Sequence, residues 1–146
     1  MESKTLENGL IRILASTVVL SGKARFFSWC ARKTAPKDAI DLFAKDFAAL
    51  DPMCDEFAAR VSAAGGQVPS AYGKLAEVSS VKEYDGLSWI EMVQELRNDH
   101  QQMIFDCQFV LTLLEDLDDT SSVKLLLDAI SKHETCIEKL SAIVAH

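Results

Sequence analysis

The chain has 146 residues, 49% apolar and 25% charged, with six Gly and three Pro, a balance that suits one compact helical domain rather than a disordered chain. Its net charge of -7 excludes a surface that attracts phosphate backbones on all sides, so DNA binding would need a local basic patch. Cys30, Cys54, Cys107 and Cys136 form no C-x-x-C pair, which excludes a zinc knuckle or dithiol redox motif and points to reduced thiols in the cytoplasm.

Helical periodicity begins near Thr5, where Leu6, Leu10, Ile13, Leu14, Thr17, Leu20, Ala24 and Phe27 return to one face as far as Ala31. The apolar run Leu10 to Leu20 is interrupted by Arg12 and followed by Lys23 and Arg25, so it reads as an amphipathic helix rather than a signal peptide. No segment is long and apolar enough to span a bilayer.

Pro36 suits the first turn of a second helix, expected to run to Ala64 with Ile40, Phe43, Phe47, Leu50, Cys54, Phe57, Val61 and Ala64 as its seam. Pro52 predicts a kink within it, and Gly65-Gly66 a left-handed terminus.

A crossover follows, with one short helix over Ala71 to Val78. Ser88 and Glu91 form a capping box for a third helix, whose face is Trp89, Met92, Val93, Leu96, His100, Met103, Ile104, Cys107, Val110, Leu111 and Leu114. The fourth carries Val123, Leu126, Ile130, His133, Ile137, Leu140 and Val144. Four one-sided helices, with the long connection between the second and third, predict an all-α four-helix bundle forming a single domain over 1–146.

Three stretches resemble the Dps family of ferritin-like proteins: Asp55-Glu56-Phe57-Ala58-Ala59-Arg60 before Gly65-Gly66; Leu75-Ala76-Glu77 with Ser79-Ser80-Val81-Lys82-Glu83; and Met92-Val93 through Leu96 to Asp99-His100. The resemblance implies a ferritin-like four-helix bundle with its extra helix in the long crossover, assembled from dimers into a homo-dodecameric shell. It also implies an iron site between subunits built from two His, two Asp and one Glu. Aligned back from Gly65-Gly66, those positions fall on Ser28, Ile40, Ala44, Asp55 and Ala59, so one ligand of five is kept.

A lone carboxylate does not hold Fe(II) against water, and no E-x-x-H pair offers a centre within the bundle, since Arg97 precedes His100 and Ile130 precedes His133 by three. Ferroxidase activity is therefore expected only by family resemblance, and the leading expectation is a stress-protection shell without the standard centre. The alternatives are an iron-storing ferroxidase using Asp51, Asp55 and Glu56, and a DNA-binding nucleoid protein.

Ala44, Ala48, Asp51, Asp55 and Ala59 fall on one side of the second helix, as a close-packed subunit contact would, where Asp51 and Asp55 are the candidate metal ligands. Glu115, Asp116, Asp118 and Asp119 are candidate pore acids, with a solvated turn as the plainer reading. His100 and His133, on apolar faces, read as satisfied core or interface residues before ligands. For DNA, Met1 to Asn8 holds one Lys and two Glu, which leaves Lys23, Arg25, Arg32, Lys33 and Lys37 as the candidate patch.

Overall fold

The computed structural model describes residues 2–145, with side chains described from Lys4 onward, so Met1 and His146, the ends of the expected domain, lie outside the described residues. Five helices follow in order: α1 (Glu2–Cys30), α2 (Lys37–Ala63), α3 (Tyr72–Val78), α4 (Trp89–Leu113) and α5 (Thr120–Val144). The four long helices close a ring in which α1 packs on α2, α2 on α5, α5 on α4 and α4 on α1, while α3 lies against α1. Helix already begins at Glu2, so most of the segment read as an amino-terminal tail is the first turns of α1.

Every residue named for the seam of α1, from Leu6 to Phe27, is buried. The seam of α2 differs from the expected one. Its buried residues are Ala39, Phe43, Asp46, Leu50, Met53, Phe57 and Val61, and Ile40, Phe47 and Cys54 flank them. Both sets have spacings of three and four; the structure selects the one that carries a charged residue into the core.

The helix ends follow local chemistry. Gly65 has φ +87°, Gly66 N–H donates to Val61 O at 2.9 Å and Gly65 N–H to Ser62 O at 3.1 Å, the paired bonds of a Schellman ending. Replacing Gly65 by alanine forces a Cβ into this left-handed conformation and is expected to cost about 1–2 kcal/mol, read as a melting temperature lower by about 2–8 °C. Helix α2 continues unbroken through the exposed Pro52. At α4 the Ser88 hydroxyl accepts from Glu91 N–H at 3.2 Å and the Glu91 carboxylate from Ser88 N–H at 2.9 Å, completing the expected box.

Asp119 caps α5, accepting from Ser122 N–H at 3.0 Å and from the Ser122 hydroxyl at 2.6 Å. Glu115, Asp116 and Asp118 are exposed in the preceding turn. Thus one of the four candidate pore acids has a capping role. Among the described residues no helix is long and apolar enough to cross a membrane.

Candidate functional site

Ala44, Ala48, Asp51, Asp55 and Ala59 recur every three or four residues on α2 and all are exposed, so they form a continuous outer stripe turned away from the core. Asp51 and Asp55 flank Cys54, whose thiol is pushed up to about 12 by burial first and then by these two carboxylates. Glu56 lies 3.9 Å from Lys132. Of the other aligned positions, the Ser28 hydroxyl donates to Arg25 O at 2.6 Å, and Ile40 packs against the core. Ser28, Ile40, Ala44 and Ala59 therefore supply no imidazole or carboxylate at this face.

Exposed aromatics lie at the end of α1. Phe26 and Trp29 contact each other at 5.6 Å between ring centres, and the Arg25 guanidinium lies 5.2 Å from the Trp29 ring and 4.9 Å from that of Phe47. Each cation–aromatic contact contributes about 0.5–1 kcal/mol at an exposed site.

Lys23 corrects the expected basic patch. It is 1% exposed, and its ammonium donates to Lys82 O at 2.7 Å, Glu95 Oε1 at 2.9 Å and Asp99 Oδ2 at 2.7 Å. Three acceptors satisfy its three donors, which ties α1 to α4 and to the crossover. Asp99 is raised to about 6 because burial outweighs the stabilising Lys23 contact. Deeper along α1, Ser80 N–H donates to Ser16 Oγ at 2.9 Å and the Ser80 hydroxyl to Asp106 Oδ2 at 2.6 Å. Ser80 thus anchors the crossover in the bundle.

The densest polar cluster lies inside the bundle. Asp46 of α2 accepts from His100 Nε2 of α4 at 2.9 Å to each carboxylate oxygen. His100 Nδ1 meets His133 Nδ1 of α5 at 2.8 Å. Only one of these two nitrogens holds the intervening proton, and in either case His133 Nε2 is buried with no hydrogen-bond partner. Burial and then the adjacent His100 push His133 down to about 3, so it is neutral at ordinary pH.

Cys136, one helical turn beyond His133, lies beside Asp46, and burial followed by that carboxylate raises its thiol. Among the described residues, the group of His, Cys, Asp or Glu side chains close enough to share a cation is Asp46, His100 and Cys136, with ligand atoms all within 4.8 Å of one another. Asp51 and Asp55 are not in it. Sequence reasoning placed His100 and His133 correctly in the core and missed Asp46. The available signal was its spacing of three from Phe43 and four from Leu50.

The family described as ferritin-like domain matches residues 7–146. Among solved structures, Dps from Thermosynechococcus elongatus superposes with a TM-score of 0.90 at 19% identity, covering 99% of this chain and 93% of that one. Dps from Bacillus brevis gives 0.88 at 22% identity, covering 98% and 97%. A dodecameric thioferritin, the bacterioferritin-related protein of Bacteroides fragilis, gives 0.89 at 12% identity, covering 98% and 86%. These likenesses establish a Dps-type fold. No curated protein sequence matches the chain.

Proposed function

Since the chain belongs to the ferritin-like domain family, we propose that it is a Dps-type stress-protection protein of the cytoplasm that forms a homo-oligomeric shell, a dodecamer built from dimers, without the intersubunit ferroxidase centre. The carrying observation is the outer stripe of α2, where Ala44, Ala48 and Ala59 offer small side chains and Asp55 is the single carboxylate left at the expected iron positions. Small residues let two helices approach closely. Phe26 and Trp29 of α1, 42% and 49% exposed, are apolar area that self-association would remove from water, worth about 25 cal/mol per Å². The four free thiols support a reducing compartment.

Iron enters this reading as possible cargo. Ferrous iron added anaerobically and then exposed to peroxide is expected to give no more rapid ferric absorbance than a matched blank, and Asp55→Asn is expected to leave the trace unchanged. Rapid oxidation abolished by Asp55→Asn would reject the reading in favour of the ferroxidase that draws on Asp51, Asp55 and Glu56. Light scattering coupled to size exclusion tests the shell: a particle of about twelve chains supports it, and a monomer at micromolar concentration rejects it.

Burial of Lys23 removes one of the five residues of the nucleoid-protein patch; Arg25, Arg32, Lys33 and Lys37 are exposed, and Lys37 pairs with Asp41 at 3.4 Å. A gel shift at low salt is expected to show no complex.

A further inference from the structure

We propose that Asp46, His100 and Cys136 form a mononuclear site for a borderline-soft divalent cation of the zinc(II) class within the bundle, with His133 as its supporting residue. The site is independent of the outer stripe of α2 and of shell assembly.

Three observations carry it. One oxygen, one imidazole nitrogen and one sulfur come from α2, α4 and α5, and the three atoms already lie within 4.8 Å of one another. A tetrahedral zinc ion with bonds of about 2.0–2.3 Å spreads its donors about 3.3–3.7 Å apart, so small side-chain adjustments close the site. The mixture of thiolate, imidazole and carboxylate selects a borderline ion over Mg(II) or Ca(II), which take oxygen ligands.

The second observation is the bond behind His100. A metal-bound imidazole characteristically donates its other ring N–H to a fixed acceptor, and His100 Nδ1 has His133 Nδ1 at 2.8 Å. The third is the unpartnered, buried His133 Nε2. Before a cation binds, with His100 protonated on Nε2 toward Asp46, His133 carries its proton on Nδ1. Cation binding at His100 Nε2 moves the pair to the other tautomers, His100 Nδ1–H donating to His133 Nδ1 and His133 protonated on Nε2. The imidazole protons are conserved, the Cys136 S–H bond breaks, the sulfur–metal bond forms, and one proton is released per cation.

Cobalt(II) is the probe, added anaerobically to reduced protein previously stripped with chelator. The expected result is one Co(II) per chain, a near-ultraviolet thiolate-to-cobalt charge-transfer band, and about one proton released in weakly buffered indicator solution. Cys136→Ser keeps a small hydroxyl donor toward Asp46; it is expected to abolish the band and the proton release and to weaken binding about tenfold or more. Cys54→Ser, beside Asp51 and Asp55, is expected to change neither. A wild-type titration with no charge-transfer band overturns the site, as does a band that survives Cys136→Ser. Should Cys136→Ser fail to fold, proton release by the wild type decides: one per Co(II) supports the site and none rejects it.

Discussion

Lys23→Met is expected to destabilise the protein by about 3–5 kcal/mol, the cost of breaking a buried ion pair from one side, and so to lower its melting temperature by about 6–20 °C. Methionine keeps the apolar stem but leaves three acceptors without their donor. Glu95 is 26% exposed and can turn to water, whereas Asp99 is only 12% exposed and Lys82 O loses its bond to the ammonium. Asp99 already sits at about 6 with Lys23 present; without the cation its carboxyl moves higher and takes up a proton. Adding Asp99→Asn to Lys23→Met is expected to recover part of the loss, because the group left without compensation is then neutral. Thermal melting followed by circular dichroism measures both steps. A loss below about 1 kcal/mol would place Lys23 with ordinary surface pairs and contradict its role in fixing α1 to α4.

The bundle was legible because its signals are local. Apolar spacing marked the four long helices, Ser88 with Glu91 marked the start of α4, and Gly65-Gly66 marked the end of α2 through a backbone conformation that glycine favours. The polar interior was not legible in the same way. Lys23 lies three residues after Leu20 and four before Phe27, inside the α1 seam, yet its type alone suggested a surface patch. Its three partners come from 59 to 76 residues away. Asp46 shows the same limit: on α2 two interleaved stripes both keep helical spacing, and hydrophobicity favours the one with Phe47. What places Asp46 inward is His100, 54 residues distant, a pairing that periodicity along one helix does not encode. The outer stripe of α2 could be drawn from sequence for the opposite reason, since facing outward requires no partner within the chain.

That long-range pairing makes the effect of Asp46→Ala depend on His100. In chelator-treated wild-type protein the substitution leaves His100 Nε2 without an acceptor in the core, and a loss of about 3 kcal/mol is expected from breaking a buried, charge-assisted contact on one side. In a His100→Leu background the sign changes. There the Asp46 carboxylate, 2% exposed at its side chain, has lost its bonds to His100, so removing it relieves a desolvated charge. His133 has lost its Nδ1 partner in both proteins and cancels from the comparison. Asp46→Ala is therefore expected to be neutral or stabilising in that background, with a coupling of about 3 kcal/mol or more in a double-mutant cycle measured by urea denaturation. If the two substitutions were additive within about 0.5 kcal/mol, Asp46 and His100 would be stabilised separately, and the cluster would not act as one unit across α2, α4 and α5.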